Sequence, residues 1–520
     1  MFKRLSSAFK TTGFVDLSAA SSNQQRQSAK SSSDQLRPRF AYCRPDLLGL
    51  ELDGDDERSL ASDTVSRPVL VAGDRTALPG FAGYAEAING GKTQVNEDQS
   101  QACQFLLRPT APNGERADAL PDILYGGDCV LSPEQYSELL RASPDCLLAT
   151  YFAMFDGHAG DGAATYAKQL LQLHLREKLM QVYPLLLERI NKPSSETPAA
   201  APAQNGGDSA FIHQPDSLTV SFDQLVIGAL ESAFIGLDDQ ICRERTTYRI
   251  TGGCTALVLL FLADRLYVAN AGDTRAVLCQ RTGSAQPLSV DLTPYNDRER
   301  LQLIASHHPE LLHKEFCALQ FARRLGRRDL GERVLCRHGC MQGWHYKTVT
   351  EEDLLFPLIV GDEKKSRLLA TIGVARGFGD HDLRVFDSPI QLKPFLSCVP
   401  QVTVVQTAEQ DGCEDVLVMA TDGLWDVISC EAVAETVQSC LRQAREAATA
   451  ANSLTIVAQE LVGAARGAWQ KPERPGGGGG GSWRLPDGEQ ASVDDISCFV
   501  IPLDLHSRLS RAERQEDGQY

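Results

Sequence analysis

Three apolar runs near the middle of the chain restrict the folds that it can adopt. They occupy residues 255–263, 265–271 and 275–280, and the connections between them are too short to hold a helix. Strands joined by such short connections have to pair antiparallel, because a parallel pair needs a crossover of a dozen or more residues. A doubly wound parallel sheet is therefore excluded for this part of the chain.

Further segments on both sides of this meander extend the pattern. Apolar runs typical of strands recur in the segments YAEAI, LATYFAMF, VLVMA and ISCFVIPL. Helical periodicity is found at 161–190, 222–245, 431–447 and 453–467. We therefore predict an α+β fold, in which helices pack on the faces of antiparallel sheet.

Several segments interrupt this pattern and define the predicted domain organisation. Residues 1–40 are basic, rich in serine and glutamine and poor in large apolar residues, so we predict a disordered N-terminal tail. One domain is predicted at 41–505, followed by a C-terminal tail at 506–520. Within the domain, segments with turn-rich, Pro/Ala/Ser-rich, charged or glycine-rich composition are predicted to be insertions and loops. They lie at about 104–145, 192–217, 306–366 and 472–488.

Residues 1–10 place Phe2, Leu5 and Phe9 on one face of a short amphipathic segment with basic neighbours. Such a segment could make peripheral contact with an anionic membrane surface or direct the chain to an organelle. The alternative is a disordered tail that holds three apolar residues by chance, and the sequence favours this alternative.

Charge and cysteine usage exclude some classes of function. The net charge of −17 argues against a nucleic-acid partner, because such proteins carry basic surfaces. No apolar run is long enough to span a bilayer. The 15 cysteines are scattered singly and no secretory signal precedes them, so we expect reduced thiols in an intracellular protein. The simplest location is the cytoplasm, with a membrane-associated fraction if the tail binds membranes.

The segment CRHGC raises the question of a zinc site. It contains Cys336, His338 and Cys340, and His345 follows shortly after. Structural zinc sites usually combine two such pairs, and no second pair at that spacing is present. The sequence therefore favours buried thiols over a structural zinc ion.

Acidic residues recur at the ends of the predicted strands. One such residue beside glycine is an ordinary turn, but five separate strand ends carry them. The acids are Glu97 and Asp98 in VNEDQ, Asp156 in FDGHAG, Asp273 in NAGDTRA, Asp422 and Asp426 in ATDGLWDVI, and Asp494 and Asp495 in SVDDIS. If the fold brings these carboxylates together, cations must neutralise them. Ligation by oxygen alone suits the hard ions Mg²⁺ and Mn²⁺.

In kind and order, these motifs resemble those of the metal-dependent Ser/Thr protein phosphatases of the protein phosphatase 2C family. The resemblance covers roughly residues 78–503 and also includes GGCTALV, GVARGFGDHDL and DDISCFVIPL. The segments GYAEAINGGK, IGALESAF and KPFLS are most similar in sequence to the H/J/M subgroup of this family. The resemblance implies a four-layer α/β/β/α sandwich of two mainly antiparallel sheets, with a two-metal site at one edge.

The resemblance also implies roles for the acids. Asp156 would bridge two Mg²⁺ or Mn²⁺ ions, with Asp422 and Asp494 completing one ion and Glu97 and the Gly157 carbonyl serving the other. A third, weaker site would use Asp273, Asp422 and Asp426. Asp98 and Asp495 are adjacent to ligand positions and are second choices.

The implied reaction is hydrolysis of phosphoserine or phosphothreonine in protein substrates. Water activated by the two ions would attack phosphorus without a covalent enzyme intermediate. His158 is the candidate general acid, which would protonate the leaving oxygen. Its alternative is a polar turn residue at the start of a helix.

The sequence departs from the family pattern at the substrate phosphate. The place of a phosphate-binding arginine is taken by Thr93, and the adjacent Lys92 could supply the charge but not the planar fork of arginine. A plain surface lysine is an equal alternative for Lys92. Asp380 is interpreted as a structural turn residue rather than a ligand, and Arg376 as an anchor of the sheet edge. The competing function is a pseudophosphatase that binds phosphoproteins as an adaptor.

Overall fold

The structure of the chain is a computed structural model. It describes residues 39–40, 48, 58–61, 65–72, 78–109, 122–125, 139, 141, 143, 145–191, 220–307, 319–323, 325–338, 342–354, 358–361, 363–385, 388–407, 415–446, 453–470 and 481–504. Residues 1–38 of the predicted 1–40 tail, including the amphipathic segment at residues 1–10, therefore lie outside the described residues. The predicted 506–520 tail and the linker at 192–217 also lie outside them.

The described residues form the following strands and helices. The strands are β1 (Val69–Val71), β2 (Gly83–Ala87), β3 (Gln99–Leu107), β4 (Ile123–Leu124), β5 (Leu147–Phe155), β6 (Gly157–His158), β7 (Gly253–Cys254), β8 (Ala256–Leu262), β9 (Arg265–Ala271), β10 (Arg275–Cys279), β11 (Ala285–Pro287), β12 (Leu319–Phe321), β13 (Arg333–His338), β14 (His345–Thr348), β15 (Ile359–Val360), β16 (Arg367–Leu368), β17 (Phe378–Gly379), β18 (Gln401–Gln406), β19 (Val416–Ala420), β20 (Ala468–Gln470), β21 (Ser482–Arg484) and β22 (Ile496–Pro502). The helices are α1 (Gly162–Asn191), α2 (Phe222–Tyr248), α3 (Arg298–Ser306), α4 (Asp422–Trp425), α5 (Cys430–Glu446) and α6 (Ser453–Arg466).

Two six-stranded sheets form the centre of the fold. Sheet 1 has the strand order β1-β2-β22-β19-β10-β11, and sheet 2 has the order β18-β9-β8-β5-β3-β4. All strand pairs in both sheets are antiparallel. The β8-β9 hairpin confirms the antiparallel pairing predicted for the first two runs. The predicted three-stranded meander is wrong, because β10 pairs with β19 in sheet 1 instead of with β9.

Strand β5 shows why the two sheets stack. Alternate side chains of a strand point to opposite faces, and Tyr151 and Phe155 lie in one apolar cluster while Phe152 lies in another. The first cluster joins sheet 2 to α1 and α2. The second lies between the sheets, where the rings of Phe152 and Phe499 meet with their centroids 5.6 Å apart. Because both faces are covered, the whole strand is apolar.

The outer face of sheet 1 is covered by another pair of helices. Val418 and Val500 of sheet 1 share an apolar cluster with Val433 of α5 and Leu461 of α6. The order of layers is thus helices, sheet 2, sheet 1, helices. This confirms the predicted α+β class and its α/β/β/α arrangement.

Helix α2 begins at the predicted residue and ends three residues after the predicted 222–245. The Ser221 side chain accepts a hydrogen bond from the Gln224 backbone N–H, and the Gln224 side chain accepts one from the Ser221 N–H, which together form a capping box. Arg249 closes the helix in the left-handed conformation. In the part of the chain that the structure describes, no helix combines the length and apolarity needed to cross a bilayer.

Two predicted loop boundaries differ from the observed elements. Strand β3 continues to Leu107, so residues 104–107 of the predicted 104–145 excursion are strand that pairs with β5. The predicted 472–488 loop contains β21, which pairs with β20 through Trp469 and Trp483. The 306–366 insertion carries a small sheet of its own, with the order β12-β13-β14. Polar or glycine-rich composition hid the short strands at 306–366 and 472–488, whereas residues 104–107 are the end of a nine-residue strand.

Candidate active site

The carboxylates predicted to act together are placed at one end of the two sheets. Asp156 follows the last residue of β5, and Glu97 precedes β3, whose first residue, Gln99, pairs with Phe155. Asp422 follows β19 in sheet 1. Antiparallel pairing brings the end of one strand beside the start of the next, so motifs distant in sequence share this edge.

Asp156, Asp273 and Asp422 form the tightest group, which we call the acidic trio. One carboxylate oxygen from each lies within 4.8 Å of the others. Asp273 reaches this position because the β9–β10 turn passes from sheet 2 to sheet 1. The turn needs Gly272, since its φ is +147° and an added Cβ would lie 2.3 Å from the Thr255 side chain.

The trio is electrostatically costly as it stands. Removal from water raises the pKa of Asp156 well above its usual range, and the charges of Asp422 and Asp273 raise it further. The pKa of Asp273 is also raised well above its usual range, by burial and then by Asp422. Burial and the charge of Asp494 raise the pKa of Asp422 to about 6. A nearby positive charge would stabilise the ionised form of these carboxyl groups. The group therefore fits a divalent cation bound by oxygen.

Glu97 lies outside the trio but is fixed beside it. Its side chain accepts a hydrogen bond from the Gly160 N–H at 2.6 Å. Burial raises the pKa of this carboxyl, and the Gly160 hydrogen bond opposes that rise. An added Cβ at Gly157 would lie 2.4 Å from the Glu97 carbonyl oxygen, so the two predicted ligand positions are in close backbone contact.

Asp494 is paired with a lysine at the cleft. Its carboxylate accepts a hydrogen bond from the Lys92 ammonium. Burial lowers the pKa of Lys92, but the hydrogen bond and charge of Asp494, with the charges of Asp422 and Asp156, give a net rise. Lys92 therefore lies in the field of the acidic cluster, while its side chain remains 57% exposed.

The backbone around Asp494 is held by an arginine that the sequence did not single out. Arg67 is buried and donates hydrogen bonds to the carbonyls of Ser492 and Asp494, at 2.6 and 2.8 Å. Its guanidinium also lies 5.5 Å from the ring centroid of Trp483. No sequence pattern predicts this contact, because Arg67 precedes β1 and lies outside the acidic motifs in the sequence.

Asp98 and Asp495, the second choices, brace the loops behind the trio. Asp98 is buried and accepts a hydrogen bond from Thr421 at 2.9 Å. Asp495 accepts backbone N–H bonds from Asn89 at 2.8 Å and Glu97 at 3.0 Å. Burial raises the pKa of Asp495 to about 7 despite these bonds. Both acids hold the segments that present the outer carboxylates.

Asp426 lies at the exposed rim of the site. The Lys364 ammonium, from the 306–366 insertion, is 3.4 Å from its carboxylate. Trp425, next to it, is buried and donates its indole N–H to the Ala420 carbonyl at 2.8 Å. The insertion therefore reaches the predicted third-metal acid.

His158 contacts an acid that the sequence assigned only to a turn. Its Nε2 lies 2.7 Å from Oδ2 of Asp380, whose side chain is 4% exposed. Asp380 does occupy a turn, with φ of +56°. Arg376 of the same motif pairs with Asp297 and donates to the Val399 carbonyl, in keeping with an anchoring role.

The insertion does not assemble a zinc site from its described residues. Cys336 is buried, with its sulfur 3.6 Å from Nε2 of His345. The side chain of His338 and all of Cys340 lie outside the described residues. Within the part that is described, Cys336 and His345 belong to no group of three close potential ligands.

Comparisons with known proteins identify the family to which the chain is similar. The family model described as protein phosphatase 2C matches residues 207–340 and 359–466. Human protein phosphatase 1H is 40% identical over 523 residues, which cover 95% of this chain and 97% of that protein. The chain belongs to the protein phosphatase 2C family. It is thus a metal-dependent protein serine/threonine phosphatase by descent.

Two further similarities extend the comparison. Human protein phosphatase 1J is 40% identical over 476 residues, covering 90% of this chain and 87% of that protein. Among solved structures, the serine-threonine phosphatase 2C from Toxoplasma gondii covers 84% of this chain and 98% of its own, with 17% identity and a TM-score of 0.38.

Proposed function

We propose that this protein phosphatase 2C member hydrolyses phosphoserine and phosphothreonine in protein substrates with water activated by two divalent cations and without a covalent enzyme intermediate. The acidic trio carries this proposal. Asp156, Asp273 and Asp422 bring three carboxylates within 4.8 Å of one another, where burial and mutual repulsion raise their pKa values. Without bound cations such a group would only destabilise the fold.

The donor set fits Mg²⁺ or Mn²⁺, because every donor is an oxygen. Asp156, central to the trio, would contact both ions. Asp422 and Asp494 would complete one ion, and Glu97 and the Gly157 carbonyl would hold the other. Asp273 lies in the trio and would serve a third ion together with Asp422 and Asp426. When bound, the two ions supply positive charge for the phosphoryl oxygens and lower the pKa of water.

Lys92 would bind the substrate phosphate. Its ammonium already contacts Asp494 and lies in the field of Asp422 and Asp156, so it stands beside the place where phosphorus must react. Its exposed side chain can move between Asp494 and an incoming phosphate. A single lysine offers a point charge rather than a bidentate fork, so we expect orientation of the phosphate to rely less on this side chain than on the cations.

His158 would protonate the leaving seryl or threonyl oxygen. An alkoxide is a poor leaving group, and a positioned acid contributes about 10²–10⁴-fold to such a step. His158 lies two residues after Asp156, and its side chain is 31% exposed at the cleft. The proton donor and the central carboxylate are therefore presented by one turn of the chain.

The test is hydrolysis of a phosphothreonine peptide in Mg²⁺ or Mn²⁺, in chelator, and by Asp156→Asn and His158→Ala. We expect turnover to require the metal and Asp156. His158→Ala should lose much more rate on the peptide than on p-nitrophenyl phosphate, whose leaving group needs no proton. Turnover that survives chelation, or full activity of Asp156→Asn, would refute the two-metal proposal.

The pseudophosphatase alternative makes an opposite prediction. An adaptor would bind phosphopeptide without turning it over in any metal. All four acids whose loss would be typical of an inactive relative are present: Glu97, Asp156, Asp422 and Asp494. This retention favours catalysis, and the metal-dependent assay separates the two functions directly.

A further inference from the structure

We propose that Asp380 is a positioning residue for His158, which it holds in the orientation needed to protonate the leaving oxygen. This inference rests on the proposed function, because His158 has to be the proton donor. The two side chains meet at 2.7 Å, between Nε2 and Oδ2. The Asp380 side chain is 4% exposed and that of His158 is 31% exposed, so a buried acid supports a histidine at the cleft surface.

A small sheet exists at this point and brings the two residues together. Strand β6 pairs with β7, with His158 opposite Gly253, and β17 pairs with the other edge of β7, with Gly379 opposite the same Gly253. The central strand thus places two motifs side by side that are 222 residues apart. Gly379 is therefore level with His158 across the sheet, and Asp380 follows it directly.

Gly253 leaves the space in which the two side chains meet. A Cβ atom at this position would lie 2.2 Å from Oδ2 of Asp380 and 2.7 Å from Nε2 of His158. Real Cβ atoms do not approach other atoms this closely, so any side chain here would separate the pair. The glycine is therefore required by the contact itself, beyond any need of the backbone.

The backbone of Asp380 is fixed on both sides. Its φ of +56° is uncommon for a residue other than glycine. Its N–H donates to the Gly252 carbonyl at 3.0 Å, and its carbonyl accepts from the Leu383 N–H at 3.1 Å. The preceding Gly379 N–H donates to the Asp238 carboxylate at 2.9 Å. A left-handed aspartate that is held this firmly aims its carboxylate in one direction.

The chemistry of the pair explains what the contact would do. A buried carboxylate needs a partner, and in the described part of the chain the Asp380 side chain has a hydrogen bond only with His158. If Nε2–H donates to Asp380, the ring cannot rotate freely and Nδ1 carries the proton that is given up. The proton passes from Nδ1 to the leaving oxygen, while Nε2–H stays bound to the carboxylate. Asp380 itself never touches the substrate.

A residue that only stabilises its turn would behave differently from a positioning residue. Loss of turn stability would disturb the whole site and reduce the hydrolysis of every substrate by a similar factor. Loss of positioning would matter only where the leaving group needs a proton. The dependence of rate on the leaving group therefore separates the two roles.

The experiment compares kcat for a phosphothreonine peptide and for p-nitrophenyl phosphate in saturating Mn²⁺. Asp380→Asn keeps an oxygen acceptor for Nε2–H, whereas Asp380→Ala removes it. We expect Asp380→Ala to lose about 10- to 100-fold in kcat on the peptide, a part of the full general-acid effect, and less than about threefold on the aryl phosphate. Asp380→Asn should recover most of the peptide rate, with KM unchanged in both.

The matched control is Asp382→Asn, on the same loop, whose carboxylate pairs with Arg245 at the exposed surface. It should leave both rates unchanged. In a His158→Ala background, Asp380→Ala should cost nothing further. Equal losses on both substrates, or an additive loss in that background, would overturn the positioning role.

The same data distinguish failure of this inference from failure of the proposed function. If His158→Ala shows no preference between the two substrates, general-acid catalysis by His158 is refuted. If His158→Ala shows the preference and neither Asp380 variant does, only the positioning role is refuted. Asp380→Asn is nearly isosteric with aspartate and keeps the comparison decisive if Asp380→Ala does not fold.

Discussion

The acidic trio predicts that loss of a catalytic charge stabilises the metal-free protein. In Asp156→Asn the shape of the side chain remains and one negative charge is removed. With carboxylate oxygens within 4.8 Å, two unit charges at an effective dielectric constant of about 20 repel by about 3.5 kcal/mol. Water at the cleft screens part of this, so we expect the free energy of unfolding to rise by about 1–3 kcal/mol.

The gain should depend on pH in a defined direction. The raised pKa values mean that the folded protein binds protons more tightly than the unfolded chain does. Stability of the chelated protein therefore falls as pH rises from about 4, the ordinary pKa of aspartate, through the folded value of about 6 for Asp422. As the carboxylates lose their protons with rising pH, the repulsion within the trio increases. The gain from Asp156→Asn should be large at pH 8 and small at pH 5.

The assay is thermal unfolding in chelator at both pH values, with activity measured in parallel. We expect Tm of Asp156→Asn to exceed that of the unmodified protein by about 1–3 °C at pH 8, while its metal-dependent activity is lost. The control is Asp487→Asn, at an exposed turn where asparagine keeps the acceptor for the Glu489 N–H. A lower Tm for Asp156→Asn at pH 8, or an equal gain at both pH values, would refute the electrostatic reasoning.

Three further outcomes are expected. Gly157→Ala should lower both the Mn²⁺ affinity, measured by calorimetry, and the activity, because the added Cβ would lie 2.4 Å from the Glu97 carbonyl oxygen. The control Gly228→Ala, which has open space around it, should change neither. Lys92→Met should lower kcat/KM for the phosphopeptide about 10- to 100-fold, as expected for a lost hydrogen bond to a charged group. Lys92→Arg should keep most of the activity. An unchanged KM in Lys92→Met would show that Lys92 is a surface residue that does not bind the phosphate. Mg²⁺ added to chelated protein should raise Tm more at pH 8 than at pH 5, and the opposite order would contradict the raised carboxylate pKa values.

Much of the fold could be predicted because its signals are local. The short connection between β8 and β9 favours antiparallel pairing of these two strands, which is what the structure has. The continuous apolar run of β5 reports that both of its faces are covered. Helices α1, α2, α5 and α6 follow from their periodicity to within a few residues. Short strands failed as predictions where composition is polar, as at β21, because two or three residues carry too little period to recognise.

The membership of the site was harder to predict than its motifs. The sequence identifies acids at strand ends, but which of them meet depends on where chain crossings place them, as the Gly272 turn does for Asp273. The Asp380–His158 contact depends on the register of β6, β7 and β17, which no single motif contains. Arg67 donates its hydrogen bonds to backbone carbonyls. Because any residue can offer such a carbonyl, the sequence of the accepting segment does not predict the contact.

The passage of the chain from β9 to β10 has a consequence for how the protein opens. Asp156 is carried by one sheet, Asp422 by the other, and Asp273 by the single turn between them. A divalent ion held by Asp156 and Asp422, as proposed, would be a cross-link between the two sheets of the sandwich. Metal binding and the packing of the two sheets against each other are then thermodynamically linked. Mutations between the sheets, far from any ligand, should therefore be detected first as weaker metal binding.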